Sequence, residues 1–203
     1  MRLVCISDMH GYKIPIPDGD VLICAGDYLR TESLLELEAF NLWLGTLPHR
    51  HKIVIAGNHD FVFEKHLEVA RAALTSAIYL QDSEVVIDGV RFYGSPWQPE
   101  FFSWAFNLPR GQKIADKWAM IPNNTDVLIT HGPPNGILDK VQRGHVGCEE
   151  LLKVVQAVKP SLHIFGHIHE GYGQVEIGET LFVNASICTD RYKPTNQPIC
   201  VDI

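Results

Sequence analysis

Residues 162–173 read LHIFGHIHEGYG: a short apolar run, a glycine, two histidines one residue apart, and glycine again at 171 and 173. A run of four bounded by glycine is a strand that stops at a turn. Side chains at i and i+2 of an extended segment face the same side, so the spacing predicts His167 and His169 aimed at one point beyond the strand. The same arrangement recurs along the chain. Asp8 and His10 follow VCIS, Asp27 follows VLICAG, Asn58, His59 and Asp60 follow KIVIAG, and His131 follows VLIT. Five strand ends thus deliver Asp, Asn and His. Crevices in sheets with parallel strands form outside the carboxyl ends, so these side chains are expected to share one crevice.

The remaining runs (AIYL, EVVI, RFYG, QVEI, LFVNA, PICVDI) are further strands, with helices expected at Ser33–Leu47, Glu64–Thr75, Lys113–Met120 and Cys148–Val158. Ser33 and Glu36 have the spacing of a capping box. Asp88-Gly89 and Gly178-Glu179 are read as two-residue hairpin turns. The alternation predicts an α/β fold with mixed sheets, a single domain over residues 1–203, and one core, in keeping with 46% apolar and 20% charged residues. Residues 97–112 (WQPEFFSWAFNLPRGQ) crowd five aromatic side chains into a segment with neither period. Such a loop is buried against the body, shared with a second subunit in a homodimer, or shapes a pocket, where base stacking is one use.

A net charge of -7 disfavours a nucleic-acid polymer held by its backbone, but not a small phosphorylated substrate, nucleotides included. Five cysteines without CxxC spacing read as reduced residues of a cytoplasmic protein, and no run reaches membrane-spanning length.

Nitrogen and oxygen donors suit manganese, iron or zinc better than soft thiophilic ions. Seven donors exceed what one ion takes with a position left open, so two divalent ions are expected. Asp8, His10 and His169 hold the first; Asn58, His131 and His167 the second; Asp27 bridges. Two such ions acidify a bridging water to hydroxide and clamp both oxygens of an in-line displacement at phosphorus. His59 is expected to point away from the ligand Asn58 and to protonate the leaving group, with Asp60 fixing its tautomer. Arg110 has the fork geometry for a phosphate or a base edge, and equally suits a structural role. Asn184 and Ser186 are expected to support the ligands from behind. His163 reads as a core residue and His49, His51 and His66 as solvated; His145 is open.

The blocks D-x-H, GD, GNHD, H with GP behind it, and GHIH resemble the calcineurin-like metallophosphoesterases. FNLPRGQ, ITHGPP, GHIHEGYG, NASICT and PTNQPI narrow the resemblance to the metallophosphoesterase-domain-containing (MPPED) proteins, over nearly the whole chain. The resemblance implies a four-layer αββα sandwich of two mixed β-sheets flanked by helices, and a dinuclear manganese-type centre on the seven ligands above. It also implies His59 as the leaving-group histidine, and phosphodiesterase activity that extends to cyclic nucleotides. GNHD stands here where the family has GNHE.

Overall fold

The structure, a computed structural model, describes all residues from 1 to 203. Its strands are β1 (Arg2–Ile6), β2 (Val21–Cys24), β3 (His51–Val54), β4 (Ile78–Tyr79), β5 (Ser83–Ile87), β6 (Val90–Ser95), β7 (Gln98–Pro99) and β8 (Asn107–Leu108). They continue with β9 (Val127–Thr130), β10 (Lys140–Val141), β11 (Gly144–His145), β12 (Leu162–Phe165), β13 (Gly173–Ile177), β14 (Thr180–Asn184) and β15 (Ile199–Asp202). The helices are α1 (Leu34–Thr46), α2 (Phe61–Lys65), α3 (Leu67–Ala73), α4 (Gln112–Trp118) and α5 (Glu149–Val158).

Two mixed sheets form the centre, in the orders β15-β1-β2-β3-β4 and β13-β14-β12-β9-β6-β5. Within them β1 to β4, and β14, β12, β9 and β6, run parallel; β15, β13 and β5 are antiparallel edges. Successive side chains of a strand face opposite sides, and strands apolar throughout are buried on both. Leu3 and Cys5 of β1, Val21 and Ile23 of β2, and Val127 and Ile129 of β9 fill the space between the sheets. Val4, Ile6, Leu22 and Cys24 face outward onto α1 to α3, packed with Leu37, Phe40 and Leu44 of α1. Leu128 and Phe165 face the other way, onto Ile114 and Trp118 of α4 and Leu151 and Val155 of α5. Four layers therefore enclose three apolar cores, where sequence suggested one.

Local signals act mostly as expected. Ser33 Oγ accepts the Glu36 N–H at 3.3 Å, but the Glu36 carboxylate turns to the N–H groups of Arg30 and Thr31, so the capping box closes on one side only. The helix expected at 64–75 is two helices, broken at His66. Both hairpins form, joining β5 to β6 and β13 to β14. His49, expected in solvent, is buried, with Nε2 3.0 Å from the Pro17 carbonyl. All five cysteines are free thiols.

Candidate metal centre

The loops after β1, β2, β3, β9 and β12 meet at one end of the two sheets. Asp8 N–H donates to the Gly26 carbonyl and His10 N–H to that of Asp27, which joins the first two loops, and Gly166 N–H donates to the His131 carbonyl, which joins the last two. Four of the expected ligands take left-handed backbone: Asp8 (φ 52°), His10 (φ 44°), Asp27 (φ 54°) and His167 (φ 67°). This conformation is uncommon outside glycine and persists where the surroundings enforce it. It also revises the expected geometry of the histidine pair. The strand ends at Phe165, His167 turns left-handed, and His169 opens a 3₁₀ turn, so the two imidazoles are brought inward by a turn and not by extended i, i+2 alternation. Gly166 permits this, since a Cβ there would overlap the Asp8 carboxylate and the Ser7 hydroxyl.

The donor atoms of the expected ligands converge. His169 Nε2 lies 3.2 Å from Asp8 Oδ1 and 3.3 Å from His10 Nε2. Asp27 Oδ2 is 3.9 Å from His10 Nε2 and 4.0 Å from His59 Nε2, while its Oδ1 is 3.5 Å from His131 Nε2. Asn58 Oδ1 stands 2.8 Å from His131 Nε2, and the His167 ring is 5.0 Å from that of His131, centre to centre. Three sets of donors lie close enough to share an ion: Asp8, His10 and His169; His10, Asp27 and His59; Asp8, Asp27 and His131. His59 faces this centre too, because Asn58 and His59 form a turn where an extended chain was expected.

Contacts behind the imidazoles set their tautomers. His131 Nδ1 bonds to the Ala25 carbonyl and His169 Nδ1 to that of Thr189, both at 2.8 Å. Each neutral ring therefore turns its Nε2 lone pair toward the carboxylates, the orientation of a metal-ligating histidine. Lone pairs of His131, Asn58 and Asp27 thus face one another around a gap suited to a cation. The protonation preferences agree. Burial lowers the affinity of His131 for a proton, but Asp27 and then Asp8 outweigh it and raise its pKa to about 9; His169 is likewise lifted by Asp8 to about 9. Burial raises and His131 lowers the Asp27 carboxyl, which settles at about 2. Without metal the cluster attracts protons; the donor set fits divalent ions. Ser186 Oγ donates to Asp8 Oδ2 at 2.9 Å, and the Ser186 N–H donates to Asn184 Oδ1 at 3.2 Å.

Two expected roles change. Asp60 does not contact His59. Its buried carboxylate accepts the N–H groups of Gly57 (2.7 Å), Asp27 (2.8 Å) and Leu29 (3.0 Å), tying the Asp27 loop to the Asn58 loop. Asp60 is a loop brace because its short side chain folds back over the turn at 57–60. The Arg110 guanidinium bonds to the carbonyls of Gly147 and Val146 and pairs with Glu149, so its donors serve the structural role. Sequence reasoning missed Tyr192, whose ring packs 4.8 Å from His10 and 5.4 Å from His169, and Asp190 and Glu170, which line the pocket over the ligands. None follows a strand end in the pattern that exposed the others.

A four-layer sandwich with aspartate, asparagine and histidine gathered at its strand ends defines a metal-dependent phosphoesterase, and residues 1–171 match the calcineurin-like phosphoesterases; the chain belongs to that family. It is 50% identical to metallophosphoesterase domain-containing protein 1 of Homo sapiens and of Mus musculus, over all of this chain and 71% of each relative. Among solved structures, one superposes with a TM-score of 0.71 at 19% identity, covering 90% of this chain and 89% of its own. The TT1561 protein of Thermus thermophilus superposes with a TM-score of 0.61 at 14% identity, covering 90% of this chain and 88% of its own. No helix is long and apolar enough to cross a membrane.

Proposed function

We propose that the chain is a phosphodiesterase for small diesters, cyclic nucleotides among them, working with two divalent ions, manganese first, that share Asp27. Asp8, His10 and His169 would hold one ion, and Asn58, His131 and His167 the other. When bound, the ions supply Lewis acidity and a water acidic enough to attack phosphorus at neutral pH.

The observation that favours a diester is the wall of the pocket over the ligands, about 170 Å3 in volume. Beyond the ligands it carries His59, Trp104, Tyr192, Glu170 and Asp190, with no lysine or arginine. A doubly charged monoester would meet two carboxylates and no added cation; a singly charged diester loses less. His59 keeps its side chain 21% exposed at this wall, and its own N–H on Asp27 Oδ1 at 2.8 Å fixes the turn that presents it. Its imidazole donates a proton to the departing oxygen. The free cysteines support a reducing compartment, the cytoplasm.

The test is hydrolysis by metal-stripped protein reloaded with manganese, using bis(p-nitrophenyl) phosphate, p-nitrophenyl phosphate, and 2′,3′- and 3′,5′-cyclic AMP. Diester turnover that requires metal and exceeds monoester turnover is expected. Preference for the monoester reassigns the site as a phosphomonoesterase, and binding without turnover as a nucleotide-binding protein. His59→Ala should lower kcat by about 10²- to 10⁴-fold at unchanged metal content; equal rates remove its role as acid.

A further inference from the structure

Beside the pocket over the ligands lies a second cavity of about 590 Å3, and Trp104, His167 and Glu170 line both. The larger space is therefore continuous with the place where phosphorus would sit, and its volume is that of a site for a nucleoside-sized group. One wall is aromatic. Phe101 and Trp104 line it with ring centres 5.5 Å apart, Phe102 packs on both at 4.3 and 5.3 Å, and the Arg143 guanidinium lies 5.0 Å from the Phe101 centroid. This wall is held in place from below. Asn107 Nδ2 donates to the carbonyls of Phe101 and Phe102, and Ala105 N–H donates to the carbonyl of Asn58, a ligand residue. Aromatic faces fixed in advance suit a flat ring better than a flexible chain.

The cavity also contains a histidine that the chemistry above leaves unused. His145 Nδ1 lies 2.5 Å from Oδ1 of Asp139, a fully buried carboxylate whose Oδ2 accepts the N–H groups of Gly136 and Gly147 at 2.9 and 2.8 Å. Three donors lock Asp139, and Asp139 in turn holds the Nδ1–H of His145. The Nε2 atom is left for a ligand, on a side chain 49% exposed in the cavity wall. In the neutral ring that atom carries a lone pair, so it accepts from an N–H group.

We propose that this cavity is the subsite for the organic half of the substrate ester, a heteroaromatic base that stacks on Phe101, meets the Trp104 ring edge-on, and donates a ring or exocyclic N–H to His145 Nε2. This rests on the phosphoesterase reading of the adjoining centre. Phe101 and His145 bind the base, and Asp139 is a positioning residue acting through His145.

The experiment compares two manganese-dependent reactions that release the same p-nitrophenolate, one from the p-nitrophenyl ester of thymidine 5′-phosphate and one from methyl p-nitrophenyl phosphate, which has nothing to place in the cavity. Phe101→Ala and His145→Ala should each lower the ratio of kcat/KM between nucleotide and methyl ester by about tenfold, through KM and not kcat, the size expected for one lost stacking or hydrogen-bonding contact. Asp139→Asn should lower the same ratio in the wild-type background and leave it unchanged in the His145→Ala background. An unchanged ratio in Phe101→Ala and His145→Ala overturns the subsite. The second readout needs no turnover. Thymidine alone, added to wild-type protein, should shift the ring ¹⁵N resonances of His145, and no shift would overturn the proposal. Should wild-type protein cleave neither ester, the phosphoesterase reading falls, and the thymidine titration still decides the cavity.

Discussion

Burial and the neighbouring Asp27 charge raise the pKa of Asp60, but only N–H donors face its two oxygens, so the ionised form fits the site, and replacing Asp60 by asparagine removes one negative charge and one acceptor oxygen without changing shape. Its Oδ2 now takes two N–H groups, from Gly57 and Asp27, and its Oδ1 takes that of Leu29. An asparagine keeps its oxygen where two donors converge and must turn its NH₂ toward Leu29, so that two donors face each other. Leu29 is wholly buried, and its amide then has no partner. An unmade buried hydrogen bond costs about 1–3 kcal/mol, and the two that remain lose the assistance of charge, about 1 kcal/mol each. The sum is about 3–5 kcal/mol, a large share of the 5–15 kcal/mol typical of a domain. For a chain of this size it lowers Tm by roughly 10 °C. The loops carrying Asp27 and Asn58 loosen together, so manganese affinity should fall about 10- to 100-fold. Thermal unfolding with and without metal, and calorimetric titration of manganese, measure both. The reasoning is refuted if Asp60→Asn keeps wild-type stability and affinity yet lowers kcat as His59→Ala does, because Asp60 would then serve the imidazole and not the loops.

Ser186→Ala deletes the hydroxyl on Asp8 and should weaken manganese binding about 10-fold while leaving the metal-free fold within about 1–2 kcal/mol of wild type, both read by titration and urea unfolding. Gly57→Ala brings a Cβ to 2.6 Å from His131 Cε1 and against Asp27, so metal content measured after dialysis should drop sharply; full occupancy would contradict the packing. His163 is fully buried, and burial pulls its pKa down to about 3. Its neutral form belongs to the folded state, so this stability is complete above the unfolded pKa of about 6.5 and is lost as pH falls toward 3, at up to about 1.4 kcal/mol per pH unit. His163→Gln, which keeps a donor for Thr130, should flatten the fall in urea midpoint between pH 7 and pH 5.

The strands were legible because a parallel strand buried on both faces must be apolar throughout, as VLIC and VLIT are, whereas the four layers followed only from the family resemblance. The cluster of donors was legible because residue type and place coincide: Asp8, Asp27, Asn58, His131 and His169 each follow a strand end. What could not be read was direction. Left-handed backbone at Asp8, His10, Asp27 and His167 depends on hydrogen bonds to distant loops, so alternation along an extended chain gave the wrong path for His167 and the wrong facing for His59. The GNHD order suggested an aspartate serving the histidine beside it, whereas Asp60 is taken by three amides, two of them about thirty residues away. Nor could sequence pair Asp139 with His145, since the hairpin of β10 and β11 that brings them together rests on two-residue strands that no apolar run marks.

The most direct test is diffraction from crystals grown with manganese, recorded near its absorption edge. Two anomalous peaks about 3.5–4 Å apart are expected, with Asp27 between them, Asp8, His10 and His169 around one, and Asn58, His131 and His167 around the other. A single peak, or ions that leave these side chains uncoordinated, would contradict the paired centre.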